Sequence, residues 1–311
     1  MMASRRASTT RSRIRPESVK RMRESASWLK GGRLYTKHAD EGQDGPSSSR
    51  LGYSSSVTWD PAQYLKFADH RLRPAVDLLN RIDLDRPGEI YDLGAGAGNV
   101  TRLIKERWPD ARVTGVDDSE AMLAKAAATA PTITWKQADL ATWRPSQPAD
   151  LIYSNAALHW LPGHERLFPS LLGGLAPGGV LAVQMPRNFG ARSHTAIAEA
   201  ALAGPWRATL EPLLRPAPVA DPAFYYGLLA PVAATLDVWE TEYLQVLEGA
   251  DPVKEWTKGT WLKPLLDALA EPERGHFESA YAALVARAYP RRADGRTLFP
   301  FRRLFIVARA R

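Results

Sequence analysis

The sequence predicts an α/β fold in which a parallel sheet is covered by crossover helices. Apolar runs with the length of buried strands occur at 89–93, 112–117, 132–136, 149–154 and 179–185. Helix-like segments separate several of these runs, near 99–108, 119–129 and 164–174. This alternation is typical of Rossmann-like sheets, in which ligands bind at the carboxyl ends of the strands.

The first predicted strand ends in a glycine turn with the sequence Gly94-Ala95-Gly96-Ala97-Gly98-Asn99. Its spacing is G-x-G-x-G, with Asp92 two residues before the first glycine and Asn99 where a G-x-G-x-x-G fingerprint has its third glycine. Glycine permits positive φ and a close approach of the backbone to a ligand. A dinucleotide brings a pyrophosphate that favours an uncovered helix N-terminus, whereas S-adenosylmethionine has no phosphate and carries two cationic groups. A carboxylate beside the turn therefore favours S-adenosylmethionine.

Acidic residues also follow the second and third predicted strands. The second strand ends in Asp117, with Asp118 beside it, and Asp139 and Leu140 follow the third. A carboxylate at the end of the second strand of such a sheet hydrogen-bonds a ribose diol, and Asp139 can accept from the adenine amine. Alternatively, Asp117 and Asp118 cap the helix that starts near Ser119, and Asp139 is an ordinary loop acid. The succession of acids at three strand ends favours the nucleoside cofactor.

Two later strands and two helical segments complete the predicted fold. Residues 235–241 alternate with period two, and 304–308 form a short apolar run. The segment 186–233 is mainly helical and interrupted by prolines, and 251–289 is rich in helix-forming residues. Because the first of these segments follows the fifth strand, we predict that the two form a helical cap over the strand ends.

The excess positive charge lies in an N-terminal leader. Residues 1–56 contain 12 Lys and Arg against 5 Asp and Glu, which accounts for the formal net charge of +7 of the whole chain. The remainder is neutral, so we expect no nucleic-acid partner. The leader is rich in Arg, Ser, Thr and Gly and is expected to be disordered. It fits a targeting segment, a functional tail or a start-site artefact equally well.

Composition excludes several kinds of site. The chain has no cysteine, which excludes disulfides and thiolate zinc sites. His159 and His164 are close in sequence but have no carboxylates at ligand spacing, so we expect no metal. No run of about 18 apolar residues indicates a membrane span. We expect a cytoplasmic protein, and the oligomeric state stays open.

Further stretches give the chain a specific resemblance to a known family. They are W-x-P-x-x-Y-x-x-F at 59–67, and the runs 73–79, 154–161, 181–188 and R-L-F-I-V-A-R at 303–309. Together with the glycine turn, they resemble the trans-aconitate 2-methyltransferase family of class I S-adenosylmethionine-dependent methyltransferases. In that family position 95 is Cys or another small residue, 97 is Pro and 159 is often Gln, where this chain has Ala95, Ala97 and His159.

The resemblance implies a class I methyltransferase sheet over 57–311, with 186–233 and 251–289 as the helical cap. The implied reaction is methyl transfer to a carboxylate of trans-aconitate or a similar small polycarboxylate, forming a monomethyl ester. A carboxylate is already ionised at neutral pH, so no catalytic base is predicted. The cofactor-binding residues predicted from motif and resemblance are Asp92, Gly94, Gly96, Gly98, Asn99, Asp117, Asp118, Asp139, Leu140 and Asn155.

A polyanionic acceptor needs cations and hydrogen-bond donors. Arg187 lies directly beyond a predicted strand end, and its planar fork can bind a carboxylate bidentately. Of the adjacent Arg302 and Arg303, one must point away from any pocket. The residues predicted to position the acceptor are Arg187, Asn188, His194, His159, Tyr64 and Tyr225.

Two other functions stay open. A small-molecule methyltransferase of the same fold that acts on another acid, a hydroxyl or an amine would keep the cofactor residues and lose the cationic pocket. A non-catalytic cofactor-binding protein would have lost acids at the strand ends. The presence of Asp92, Asp117 and Asp139 opposes that second alternative.

Overall fold

A computed structural model describes residues 68–311 of the protein, with side chains from Leu72 onward. The predicted leader 1–56 and the predicted acceptor contact Tyr64 lie outside the described residues.

The described chain alternates strands and helices. Its elements are α1 (Ala68–Arg81), β1 (Glu89–Leu93), α2 (Asn99–Arg107), β2 (Arg112–Asp117), α3 (Glu120–Thr129), β3 (Thr134–Gln137), β4 (Ala149–Asn155), α4 (His164–Gly173), β5 (Leu175–Pro186), α5 (Arg192–Ala203), α6 (Arg207–Leu210), α7 (Pro222–Leu229), β6 (Ala233–Leu247), α8 (Pro252–Lys258), α9 (Lys263–Asp267), α10 (Glu273–Ala288) and β7 (Thr297–Ala310). Short 3-10 turns occur at Leu158–Trp160 and Glu211–Leu213.

One sheet contains all seven of these strands, in the order β3-β2-β1-β4-β5-β7-β6. Strands β1 to β5 are parallel, which confirms the predicted fold class. Strand β7 is antiparallel to both β5 and β6, a direction that the apolar pattern did not indicate. The two last strands are also longer than the predicted 235–241 and 304–308, because they pair with each other from Ala233 with Ala310 to Leu247 with Thr297.

The strand order places a ligand site at the centre of the sheet. From β1 the chain adds β2 and β3 on one side and then returns to add β4 and β5 on the other. The carboxyl ends of β1 and β4 are therefore neighbours that lead to opposite sides of the sheet. Parallel α/β sheets bind their ligands in the crevice at such a switch point.

Helices cover both faces of the sheet and one end of it. The face that carries Ile90 packs against α1 and α2, and the opposite face, with Tyr91, packs against α4 and α7. A third apolar cluster joins α5, α6, α8, α9 and α10 to the first half of β7. Most of the two predicted cap segments therefore pack on one another. Helix α7 differs, since its Tyr225 and Leu229 are buried against the sheet.

The described helices and side chains show neither a membrane span nor a cluster of metal ligands. From residue 68 onward, no helix combines the length and the hydropathy needed to cross a bilayer. Within the same part of the chain, no group of three or more His, Asp or Glu side chains is placed to hold a metal ion.

Candidate functional site

The turn between β1 and α2 contains three glycines with positive φ. The φ angles are 76° at Gly94, 53° at Gly96 and 77° at Gly98, a region that favours glycine. A Cβ on Gly94 would lie 2.1 Å from the Cβ of Ala157, and one on Gly98 would lie 2.5 Å from the ring of Trp135. At Gly96 no atom of the described residues lies within 4 Å of that position. Two of the glycines thus permit close packing, and the described part of the chain leaves the space beside Gly96 open.

Asp117 holds this turn from the end of β2. Its Oδ2 accepts from the N–H of Gly96 at 2.8 Å, and its Oδ1 accepts from the N–H of Ser119 at 3.0 Å. Burial raises the pKa of Asp117, and the two backbone bonds oppose that rise. A carboxylate has about four acceptor positions, so the side chain can also accept from a ribose diol. The helix cap itself is Ser119, whose hydroxyl accepts from Met122, and the neighbouring Asp118 is exposed.

Asp92 is buried beneath the turn. It is 2% exposed, and its Oδ2 accepts from the hydroxyl of Thr101 on α2 at 2.6 Å. Burial raises the pKa of Asp92 to about 7, and the bond from Thr101 lowers it in part. A cationic ligand nearby would favour the ionised form. The structure thus gives Asp92 a role in joining β1 to α2.

The other predicted cofactor residues occupy the same edge of the sheet. Asn99 accepts from Arg102 at 2.8 Å, and exposed Asp139 accepts from the N–H of Ala141 at 2.9 Å. Leu140 is buried beside the glycine turn. The Oδ1 of Asn155 is buried and has no hydrogen-bond partner in the part of the chain that the structure describes. Such an orphaned acceptor costs about 1 to 3 kcal/mol unless a ligand satisfies it.

Strand-end residues with graded charge share one face of the sheet. Because successive side chains alternate between the faces of a strand, the strand register places five of them together: Asp117, Asp92, Asn155, Gln184 and Arg303. They follow the strand order β2, β1, β4, β5 and β7. The edge therefore changes from two carboxyl groups, through two amides, to a guanidinium.

A pocket opens at the basic end of this edge, between the ends of β4 and β5 and the helical cap. Its walls are mainly aromatic, and two of the rings that line it, Trp160 and Trp261, are stacked with their centroids 6.2 Å apart. Among the described residues that line it, none is a carboxylate. The pocket therefore suits an anion that also presents a flat or apolar surface. Its other side chains include Phe189, Phe301, His159, His194 and Arg303.

Arg303 supplies the positive charge of the pocket. It is 4% exposed, donates from Nη1 to the Oε1 of Gln184 at 3.2 Å, and its guanidinium lies 4.9 Å from the ring centre of Phe301. A guanidinium held in this way has the planar geometry that suits a carboxylate. The adjacent Arg302 instead is half exposed and pairs with Glu242.

Two predicted acceptor contacts, His159 and His194, line the pocket as neutral imidazoles. Burial, together with the charge of Arg303, lowers the pKa of His159 to about 3, and burial lowers that of His194 to about 4. His194 shares a hydrogen bond with Ser193 at 3.0 Å. The Nδ1 of His159 is buried without a hydrogen-bond partner from residue 68 onward. Both rings can therefore serve as neutral hydrogen-bonding groups.

The predicted acceptor role of Arg187 is corrected by its ion pairs. Its Nη1 bonds Glu240 at 2.9 Å, its Nη2 bonds Asp221, and its Nε donates to the carbonyl of Ala220 at 3.2 Å. These groups satisfy the guanidinium and neutralise it, and it does not line the pocket. A position directly beyond the strand end did not determine the direction of the side chain.

The predicted roles of Asn188 and Tyr225 are corrected as well. Asn188 donates to the hydroxyl of Ser193 at 3.2 Å and accepts from the N–H of Arg302 at 3.2 Å, so it fixes the loop after β5. Tyr225 is fully buried, and its hydroxyl bonds the Nδ1 of His164 at 2.7 Å. Both side chains complete hydrogen bonds inside the protein, and neither lines the pocket.

The sequence prediction missed Gln184 and Trp261 and left Arg303 unresolved. Gln184 lies in the run 181–188 that carries the resemblance, but a polar residue inside a buried strand has no partner that the sequence reveals. Trp261 lies on the cap, whose position over the strand ends is a tertiary feature. The sequence did contain one indication of the site, a glutamine within an apolar strand. A polar side chain that is buried in a sheet usually has a specific hydrogen-bond partner or a functional role.

Replacing Asp117 with alanine is expected to weaken S-adenosylmethionine binding at least about tenfold, since loss of a charged acceptor to buried hydroxyls costs about 1.5 kcal/mol or more. The variant also frees the N–H of Gly96, which adds to the loss. Calorimetric titration measures the change, and the exposed neighbour variant Asp118→Ala serves as the control. Unchanged affinity in a folded Asp117→Ala protein would remove Asp117 from the cofactor site.

Comparison with known proteins gives consistent matches. Residues 90–179 match the family described as a methyltransferase domain. A protein of Azoarcus sp. (strain BH72) named trans-aconitate 2-methyltransferase is 52% identical over 251 residues, which cover 81% of this chain and 98% of the relative. A protein of the same name from Streptomyces avermitilis is 50% identical over 260 residues, covering 81% and 96%.

Solved structures show the same fold at low sequence identity. The crystal structure of the YcgJ protein of Bacillus subtilis aligns with a TM-score of 0.50 and 13% identity. The alignment covers 77% of this chain and 99% of that protein. This similarity concerns the arrangement of the sheet and its helices.

Proposed function

The chain belongs to the trans-aconitate 2-methyltransferase family and uses S-adenosylmethionine, and from this premise we propose that it methylates one carboxylate of trans-aconitate or a similar small polycarboxylate. The product is a monomethyl ester. The observation that carries the proposal is the graded edge of the sheet, with acids on β1 and β2 and Arg303 in a pocket whose described lining has no carboxylate. A cationic cofactor and an anionic acceptor fit its two ends.

The residues at the acidic end fit the cofactor. The open backbone at Gly96 leaves room for its methionine part, and Asp117 can accept from the ribose diol. The orphaned Oδ1 of Asn155 can accept from an ammonium group, and Asp139 can accept from the adenine amine. A bound cationic cofactor would favour the ionised form of Asp92, which then adds a negative charge beneath the glycine turn. We propose these residues as the cofactor site.

The residues at the basic end bind and orient the acceptor. When bound, the cofactor supplies an electrophilic methyl group, and an ionised carboxylate can attack it without a base. Arg303 holds the acceptor anion by charge, while Trp160 and Trp261 form walls that exclude water. Holding the reacting groups in line can supply roughly 7 to 11 kcal/mol of the barrier. The pocket therefore needs to position the acceptor and does not need to move a proton.

A methyl-transfer assay with a panel of acids tests this function. The purified protein is incubated with tritiated S-adenosylmethionine and trans-aconitate, cis-aconitate, citrate, isocitrate or a fatty acid, and the ester is extracted. We expect transfer to trans-aconitate or another polycarboxylate and none to the fatty acid. Transfer only to the fatty acid, a hydroxyl or an amine would assign the protein a different acceptor. Cofactor binding without transfer to any of them would indicate a non-catalytic protein.

The dependence of rate on pH separates ester formation from acid–base catalysis. With cofactor saturating, kcat/KM for the acceptor is expected to be flat between about pH 6 and 8. A lowered pKa means that His159, at about 3, and His194, at about 4, are already neutral throughout that range. The positive charge of bound cofactor lowers the pKa of Asp92 below its value in the free protein. The acceptor carboxylates are ionised as well.

The matched variant for this profile is His159→Gln. We expect the same flat profile in the variant, because a neutral amide replaces a neutral imidazole. A limb near pH 6.5 in the native enzyme that disappears in His159→Gln would show that the imidazole accepts or donates a proton. Such a result would favour a hydroxyl or amine acceptor.

We further propose that the protein works on a small molecule in the cytoplasm, without a nucleic-acid or membrane partner. The equal numbers of acidic and basic residues after position 56 support the absence of a nucleic-acid partner. The lack of cysteine in the sequence is compatible with a reducing compartment.

A further inference from the structure

Gln184 is a fully buried amide in the centre of the sheet. It lies on β5, between Asn155 on β4 and Phe305 on β7 in the strand register, and its exposure is 0%. Its polar contact is with Arg303, whose Nη1 donates to the Oε1 at 3.2 Å. Because a guanidinium only donates, the atom that faces it must be the amide oxygen. The orientation of the amide is therefore fixed by chemistry.

The amide nitrogen of Gln184 makes no hydrogen bond within the described chain. From residue 68 onward, no acceptor bonds the buried Nε2 of Gln184. A glutamine retained only for packing would be replaced at lower cost by an apolar residue of the same length. The hydrogen bond to Arg303 therefore explains why a polar residue occupies this position.

The chemistry of the contact differs from that of the neighbouring arginine. Arg187 is held by two carboxylates, Asp221 and Glu240, and its charge is neutralised. The contact between Gln184 and Arg303 restrains the guanidinium with a neutral oxygen. A neutral acceptor orients a cation without adding negative charge to the place where an anion binds.

We propose that Gln184 is a positioning residue that aims the Arg303 guanidinium at a carboxylate of the acceptor, and that the neutrality of its amide is required for this role. The inference rests on the proposed function, since it assumes a polycarboxylate acceptor. It makes Gln184 a determinant of acceptor specificity that acts through Arg303 and leaves the cofactor site unaffected.

Two isosteric variants test the proposal. Gln184→Met keeps the shape and removes the amide, and Gln184→Glu keeps the shape and adds a charge beside Arg303. Binding of trans-aconitate is measured by calorimetry on the protein saturated with S-adenosylhomocysteine, so that no methyl transfer occurs. We expect the Kd to rise about tenfold in Gln184→Met and more than about 100-fold in Gln184→Glu, because the new carboxylate competes with the acceptor.

Further readouts separate positioning from structural support. The melting temperatures of native protein and of both variants are measured as well, because a loss of acceptor binding in a variant that melts at the native temperature cannot come from unfolding. The Kd of S-adenosylmethionine should stay within twofold in both variants. KM for the acceptor should rise more than kcat falls. The control is Gln245→Met, since Gln245 on β6 is also buried with an orphaned Nε2 and does not line the pocket.

The outcomes distinguish this inference from the proposed function. Native protein that binds trans-aconitate, together with equal binding by Gln184→Glu, would overturn the role of Gln184 alone. Native protein that binds no di- or tricarboxylate would overturn the proposed function and this inference with it. If Gln184→Met does not fold, the comparison of Gln184→Glu with native protein decides the question.

Discussion

Replacing Arg303 with methionine is expected to raise the KM of the acceptor at least about 30-fold, because truncating a buried charged partner of an anion costs about 2 to 5 kcal/mol. The guanidinium is 4% exposed and lies in a pocket whose described lining has no other cation and no carboxylate. Steady-state kinetics with trans-aconitate varied measures the effect. The Kd of S-adenosylmethionine should change little, since Arg303 lies three strands away from β1 in the sheet order.

Two neighbouring arginines provide matched controls. Arg302→Met removes a half-exposed side chain that pairs with Glu242, and we expect a change in KM of less than about threefold. Arg187→Met breaks contacts with Asp221 and Glu240, so it should lower the melting temperature and leave the acceptor KM nearly unchanged. A selective loss of acceptor binding in Arg187→Met, with native KM in Arg303→Met, would reverse the assignment of the anion site.

Replacing Gly96 with leucine is expected to weaken S-adenosylmethionine binding by roughly 100-fold, which corresponds to about 2.7 kcal/mol and lies within the cost of forcing a side chain into occupied space. Among the residues that the structure describes, none has an atom within 4 Å of a Cβ placed on Gly96, so the Cβ itself has room there. That room is the space the cofactor is proposed to fill. Calorimetry or equilibrium dialysis measures the loss.

Backbone strain must be separated from this steric effect. The φ of Gly96 is 53°, and leucine in the left-handed region costs about 1 to 2 kcal/mol of stability. Gly178 offers the control, since its φ is 75° and a Cβ there also meets no atom within 4 Å in the part of the chain from residue 68 onward. Gly178→Leu should lower the melting temperature by a similar amount and bind the cofactor normally. Equal cofactor affinity in the two variants would contradict the proposed position of the cofactor.

Local patterns in the sequence were sufficient for the first half of the fold. The apolar runs 89–93 and 112–117 coincide with β1 and β2, and the predicted start of a helix near residue 119 matches the Ser119 cap of α3. These elements are marked by short-range features: buried strands have few polar residues, glycines mark the turn, and a hydroxyl caps the helix. The direction of β7 and the full length of β6 depend on pairing between distant segments, which no local pattern records.

The proposed cofactor site was accessible from sequence for a similar reason. Asp92, Asp117 and Asp139 each follow a strand, and parallel strands bring their carboxyl ends to one edge, so position along the chain predicts position in space. In the structure these three carboxylates have different environments. Asp92 is buried against Thr101, Asp117 holds the glycine turn, and Asp139 is exposed in its loop. Burial and partner choice depend on the helices packed above the edge.

By itself, the sequence determined the fold class, the family resemblance and the proposed cofactor edge, because each depends on residues that are consecutive or follow a strand end. Only the tertiary structure decided which arginine faces the proposed acceptor pocket. Arg187 forms ion pairs with Asp221 and Glu240, which belong to later elements of the chain. Arg303 instead lines the pocket and bonds Gln184. Strand β7 is covered on both faces, so alternation of its side chains could not select between Arg302 and Arg303. The choice follows from where the helical cap closes over the sheet, and that arrangement joins segments far apart in the chain.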